Sequence, residues 1–361
     1  MNINSLIKRP SAVALAAFLV SAALAKGQAD YLIYVSNEKS DDVTVIDGAS
    51  QTVVATIPVG KRPRGIHASP DGKTVYVALS GTPVSAPPAL DAKGNPILHK
   101  GKDDDDDDDK KSDKAADGIG VVDVQTAKFL RKIPGGSDPE QFSLSPDGSR
   151  LFISNEDVGT ASVLDPVSGK VEHIIRTHKE PEGVGTTPDG KQFYVTCEND
   201  GEIFVVDATT YKVVTSFNVG GRPRSVDFLP DGSRAFIPSE SAGQMHLIDA
   251  ITFKETKTIT LPEKSRPMCV KVSPDGKKVY VGTGRAGTIC VLDSATGDVL
   301  KTIKVGQRPW GIVISPDGRF LYSANGPSND ISVVDLAAEK EVAKIKAGAS
   351  PWGVVIVPKP K

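Results

Sequence analysis

The sequence predicts an all-β fold, a seven-bladed β-propeller whose last blade is shared between the two ends of the chain. Three recurrences predict it. A Pro-Asp-Gly turn follows Ser69, Ser145, Thr187, Leu229, Ser273 and Ser315. A second proline recurs as Pro63, Pro139, Pro181, Pro223, Pro267, Pro309 and Pro351, spaced 76, 42, 42, 44, 42 and 42. An aspartate closing a hydrophobic run recurs as Asp47, Asp123, Asp165, Asp207, Asp249, Asp293 and Asp335. Short alternating strands at a period of about 40 to 45 residues, with no helical stretch between them, are the spacing of a four-stranded blade.

Each element has a local reason. In the repeat that begins at Gly306, strands are predicted at 310–315, 319–325, 331–335 and 340–347. Proline near its ring φ, aspartate able to bond its own backbone and glycine free to take positive φ make the turn between the first two. Alternation in the first strand places Ile66 and Ala68, Phe142 and Leu144, Val184 and Thr186, Val226 and Phe228, Val270 and Val272, Ile312 and Ile314, Val354 and Ile356 on one face. The start "YLIYVSN", "DDVTVID", "TVVATIPV" supplies only strands two to four, and the end "PWGVVIVP" only a first strand. Joining them closes the ring and removes an exposed sheet edge.

Two stretches stand outside the repeat. Lys8 and Arg9 precede an apolar run from Ala12 to Leu24 that ends in Ala23-Leu24-Ala25. This is the pattern of a cleavable secretory signal over 1–25, too short for a membrane span, and it places the mature protein in the periplasm or outside the cell. The chain "SGTPVSAPPALDAKGNPILHKGKDDDDDDDKKSDKAAD" interrupts the first full blade, and its composition reads as a disordered acidic insert over 81–118. Asp103 to Asp109 could capture calcium weakly, but no EF-hand pattern shapes the loop. The propeller itself spans 30–358 as one domain.

Composition excludes more than it selects. A formal net charge of -2 speaks against a general nucleic-acid surface. Cys197, Cys269 and Cys290 are an odd set and read as small buried hydrophobes. There is no C-x-x-C-H, G-x-S-x-G, H-E-x-x-H or glycine-rich phosphate loop, so neither cofactor nor metal is expected. Of the histidines, only His67 lies on a first strand near the axis, and it reads as a structural group.

Function then falls on the loops before the first strands, where one position read in all repeats is a ring. After the ring prolines stand Arg64, Glu140, Glu182, Arg224, Met268, Trp310 and Trp352; before them stand Arg62, Asp138, Glu180, Arg222, Arg266, Arg308 and Ser350. Both tryptophans of the chain fall in adjacent blades. A residue that kept the fold would repeat with it, so Trp310 and Trp352 read as recognition residues, against the plainer reading that they plug the channel. Arg222, Arg224, Arg266 and Arg308 have no acid in their own loops and could take an anion bidentately. Glu140 and Glu182 could pair as acid and base, but flanking arginines should keep both ionised. The predicted rim is therefore Arg62, Arg64, Glu140, Glu182, Arg222, Arg224, Arg266, Met268, Arg308, Trp310 and Trp352.

"YVSN", "FISN", "YVTC" and "YSAN", each with a following V-x-V-I-D type strand and SPDG type turn, resemble YVTN-type β-propeller repeats over essentially all of 30–358 except the insert. Within that group "VGKRPRGIHASPDG", "DPEQFSLSPDG" and "GGRPRSVDFLPDG" look like exported propellers associated with pyrroloquinoline quinone (PQQ)-dependent alcohol catabolism. The resemblance implies a periplasmic accessory protein with no catalytic residues to carry over. The leading expectation is a non-enzymatic scaffold, a monomer binding a periplasmic protein or small anionic ligand at its funnel. The alternatives are a lactonase-type hydrolase in the same channel, or single-stranded nucleic acid at the Arg/Trp rim.

Overall fold

A computed structural model describes residues 30–83 and 112–360. Within them 28 strands, β1 to β28 in chain order, form seven four-stranded antiparallel sheets. Six sheets are continuous in sequence. The seventh has the order β28-β1-β2-β3, pairing β28 (Pro351–Pro358) with β1 (Tyr31–Asn37), so the chain ends share a blade. The signal reading for 1–25 and the Asp103 to Asp109 run lie outside the described residues.

The inner strands are β4 (Ile66–Ala68), β8 (Pro139–Leu144), β12 (Pro181–Thr186), β16 (Asp227–Phe228), β20 (Pro267–Val272), β24 (Pro309–Ile314) and β28. β16 is the shortest, extended by a single bridge between Pro223 and Ser239. Apolar side chains of one blade fill the space against the next. Tyr34, Val45, Ile66 and Val77 make one such layer, and Phe152 stacks on Phe193 at 4.1 Å between adjacent blades. Full burial of each such side chain contributes about 1.5–3 kcal/mol. Outer strands instead expose Val54, Leu130, Ile174 and Leu300, and lysines flank Leu130 and Leu300, charge that blunts an open edge.

The repeated motifs have visible jobs. In the turn at Ser69, the Ser69 hydroxyl donates to Asp71 at 2.6 Å, Asp71 accepts the Lys73 N–H at 3.1 Å, and Gly72 takes φ +68. A Cβ on Gly148 would come within 2.8 Å of Pro70, so successive turns nest around the lower face. The asparagine ending strand two donates to strand three: Asn37 to Thr44 at 2.8 Å, Asn155 to Ser162 at 2.7 Å and Asn325 to Ser332 at 2.8 Å. Cys197, Cys269 and Cys290 are free and buried, and burial pushes the Cys269 thiol up to about 12. The ends of the stretch read as a disordered insert are placed. Asp113 N–H donates to Gly81 C=O at 3.0 Å, a short 3-10 turn covers Lys114–Ala116, and buried Asp117 accepts the N–H groups of Gly81 at 2.7 Å and Asp138 at 3.0 Å. This neck opens at the rim, where Arg62 donates to the Thr82 carbonyl at 3.2 Å.

Candidate functional site

The funnel rim is built on a backbone device that repeats seven times. Arg62, Asp138, Glu180, Arg222, Arg266, Arg308 and Ser350, each just before a ring proline, all have left-handed φ between 46° and 60°. None is glycine, so every one carries strain that the surrounding ring must hold. Its anchor recurs in six of the seven, where the carbonyl of the left-handed residue accepts an N–H from the turn after strand two; in the first full blade Ser80 donates instead to the Lys61 carbonyl at 3.1 Å. Glu198 donates to Glu180 at 2.8 Å, Glu240 to Arg222 at 2.9 Å, Gly284 to Arg266 at 2.7 Å, Gly326 to Arg308 at 3.2 Å and Glu38 to Ser350 at 2.9 Å. The ring prolines and these second-strand turns therefore meet at one rim.

On one side the rim is a charge network. Arg64, 1% exposed, reaches Asp138, Glu140 at 3.4 Å and Glu156 at 3.0 Å, and donates to the Pro139 carbonyl at 3.0 Å. Arg62 pairs with Glu38 at 3.0 Å. Arg224 meets Glu182, Glu198 at 2.8 Å and Glu240 at 2.5 Å, while Arg222 meets Glu198. Burial works against the charge of Arg64, yet Asp138, Glu140 and Glu156 hold its pKa above the usual range; burial likewise opposes Arg224, and Glu182 and Glu240 hold it up. Burial raises the Asp138 carboxyl too, but Arg64 and Arg62 outweigh it and leave Asp138 below the ordinary carboxylate range.

Three carboxyls between the two arginines behave differently. Burial first and the neighbouring Glu182 second push Glu140 up to about 7, against the pull of Arg64. Burial and Glu140 raise Glu156 well above its ordinary value. Burial, over the opposing pull of Arg224, also raises Glu182. Glu140 is hydrogen-bonded to both Glu156 and Glu182, and the second oxygen of Glu182 has no partner among the described residues. This corrects the expectation that flanking arginines keep Glu140 ionised, and burial raises Glu182 against the same expectation. Close carboxyls removed from water cannot all ionise, and each guanidinium is already divided among several acids.

The other side is apolar. Met268 and Trp352 are each 4% exposed, and Trp310 stacks on Trp352 with ring centroids 5.7 Å apart at 17°. The Arg308 guanidinium lies over Trp310 at 4.3 Å, and that of Arg224 lies 5.6 Å from the same ring. Glycines make the room. A Cβ on Gly284 would come within 2.9 Å of Met268, and one on Gly326 within 3.0 Å of Trp310. Trp352 is thus a packing residue, and the Trp310 ring is engaged by Trp352 and by the Arg308 guanidinium.

Below the rim, His67 packs edge-on against Phe142 at 4.9 Å. Burial and the charge of Lys271 bring it down to about 4, so it is neutral and no proton carrier at pH 7. Lys271 itself pairs with Asp227 at 3.5 Å, and Asp227 accepts the Val272 N–H at 2.8 Å.

All eleven predicted rim residues come to this funnel, but Arg222 and Arg224 are not available cations. Besides Glu182, their acids Glu198 and Glu240 come from the second-strand turns of the preceding and their own blade, a position the reading of the proline loops missed. A signal was present: Glu38, Glu156, Glu198 and Glu240 each follow the residue that ends strand two, and the last three are 42 residues apart. Reading that position as a second ring would have found them.

The family described as Lactonase, 7-bladed beta-propeller matches residues 181–350. Antigen Lp49 of Leptospira interrogans serogroup Icterohaemorrhagiae serovar copenhageni (strain Fiocruz L1-130) is 28% identical over 138 residues, 34% of this chain and 30% of that protein. The match thus spans about a third of the curated relative's length. Among solved structures, the Pseudomonas aeruginosa periplasmic gluconolactonase superposes with TM-score 0.68 at 20% identity, over 91% of this chain and 99% of the other. The Kuenenia stuttgartiensis hydrazine synthase gives 0.66 at 20%, over 81% and 88%. At such identities the superpositions establish the fold, and together the matches support a β-propeller family. They overturn the reading of a non-enzymatic scaffold tied to PQQ-dependent oxidation. The named family lies with the hydrolase alternative and points to lactonase-type propellers where the motifs had suggested YVTN-type and PQQ-associated ones.

Proposed function

We propose that this chain is an exported lactonase-type hydrolase that opens a lactone ring in its funnel. The observation that carries the reading is the hydrogen-bonded set Glu140, Glu156 and Glu182, in which burial and neighbouring acids push Glu140 up to about 7 and raise Glu156 and Glu182 above their ordinary values. A carboxyl that titrates at about 7 is matched to accepting a proton from water at physiological pH, and neighbouring carboxyls whose pKa burial raises are placed to give one back. In the reaction, water adds to the lactone carbonyl as Glu140 takes its proton. The ring C–O bond then breaks, and a proton from Glu156 or Glu182 reaches the leaving alkoxide. Lactone and water become one hydroxy acid, so atoms and charge balance. Arg64 and Arg224 hold the three carboxyls in place, since each binds two or more acids of the set or its flanks.

The family match over 181–350 supports the reaction class, and the signal pattern of 1–25 supports export. The test is proton release at constant pH with D-glucono-1,5-lactone and a panel of γ- and δ-lactones, corrected for spontaneous opening. Saturable turnover that falls by about 10²- to 10⁴-fold in Glu140→Gln, with a smaller loss in Glu182→Gln, is the expected result. A rate no faster than spontaneous opening across the panel would overturn the proposal.

A further inference from the structure

The funnel contains six arginines, and four of them are consumed by the acids around them: Arg62, Arg64, Arg222 and Arg224 each have at least two carboxylate partners. Arg266 and Arg308 have none. Among the described residues no carboxylate oxygen lies within 4.0 Å of either guanidinium, although both occupy the same left-handed position in adjacent blades. Arg308 is exposed, yet it is not loose: its guanidinium lies 4.3 Å above Trp310, which rests on buried Trp352. A guanidinium held over an aromatic ring is positioned by cation–π attraction while its N–H groups remain able to donate to an anion.

We propose that Trp352 and Trp310 form a pedestal for Arg308, and that Arg308, with Arg266 beside it, is an anion-binding subsite facing the carboxyl cluster. The ligand chemistry is a planar or tetrahedral oxyanion, a carboxylate or a phosphate, gripped through two parallel N–H groups. Both tryptophans are then explained without either touching a ligand face-on. The glycine at position 326 is explained as well, because a side chain there would displace Trp310 and tilt the arginine it carries. Positive charge left unneutralised on this side, opposite three carboxyls that share protons, gives the funnel a polarity.

The inference rests on the proposed hydrolysis only in one respect, that the hydroxy acid released there is a natural occupant. Its test needs no turnover. Tryptophan emission and calorimetry would be followed while the full chain is titrated with sodium gluconate and, separately, with inorganic phosphate. Saturable binding of gluconate points to the reaction's own carboxylate, and of phosphate to a phosphate-bearing ligand; either supports the subsite. Arg308→Ala should weaken binding by about tenfold or more. Arg308→Lys, which keeps charge but not the fork, and Trp310→Leu, which removes the pedestal, should each weaken it less. Lys264→Ala, which removes a nearby exposed cation, should leave it unchanged. Binding of neither anion, or affinity unchanged in Arg308→Ala, overturns the inference. An inactive protein that still binds gluconate through Arg308 sinks the hydrolase reading and leaves this one standing.

Discussion

Around Arg64 and Arg224 every guanidinium is met by several carboxylates, whereas across the funnel Arg308 lies over stacked indoles with no carboxylate within 4.0 Å among the described residues. Both regions use the same left-handed residue before the same proline, anchored to the same second-strand turn. What differs is the pair of residues mounted on that frame. Arg224 faces Glu240 and Glu140 faces Glu156, whereas Met268 faces Gly284 and Trp310 faces Gly326. The frame is thus a property of the fold, and the contrast a property of this chain. Segregating paired from unpaired charge across one opening is what a site needs if it is to orient a polar substrate.

The comparison can be broken most severely by removing the frame. Deletion after Ser350 takes away β28, the strand that pairs with β1 and packs against β4 and β24. The truncated chain should lose its cooperative thermal transition; a sharp transition at the original temperature would mean that closure is not what holds the ring.

Next in size is Arg64→Met. Because Arg64 is 1% exposed and serves Asp138, Glu140 and Glu156, its loss leaves buried acids without a counter-charge, at a cost of about 3–5 kcal/mol in urea unfolding at pH 7. The same substitution at Arg308, which is exposed and has no acid to abandon, should cost far less. Equal costs would erase the distinction between the two halves.

A titration sharpens it further. The folded-state pKa of Glu140, about 7, is raised above its ordinary value of 4.5, so the folded protein binds more protons than the unfolded chain between those pH values. Stability should therefore fall as pH rises from 4.5 to 7 and level off above, by on the order of 3 kcal/mol for this group. In Glu140→Gln that slope should flatten, and urea midpoints at pH 5, 6, 7 and 8 would measure it. An unaltered slope would remove Glu140 from the titrating set. The smallest effect belongs to Arg62→Ala, whose partly exposed pairs with Glu38 and Asp138 should be worth about 1 kcal/mol in the same assay.

Much of this was determined by the sequence alone. Repetition of the turn and ring prolines counted the blades, and the unequal chain ends named the strand that closes the circle, because turn chemistry and strand alternation are local and recur wherever the motif does. The eleven rim positions were readable for the same reason, as residues just before or just after one proline that recurs seven times. Their partners were not legible from the loops before the first strands. Glu156, Glu198 and Glu240 sit at a different point of the repeat, and only the tertiary fold brings that point against the rim. Charge state was decided in three dimensions as well: it depends on how many acids share one guanidinium and how much water is left, so Glu140 titrates near neutrality beside an arginine that sequence neighbours suggested would keep it ionised. Likewise, two tryptophans 42 positions apart can be read as exposed anchors until the ring sets one on the other and lays Arg308 on top.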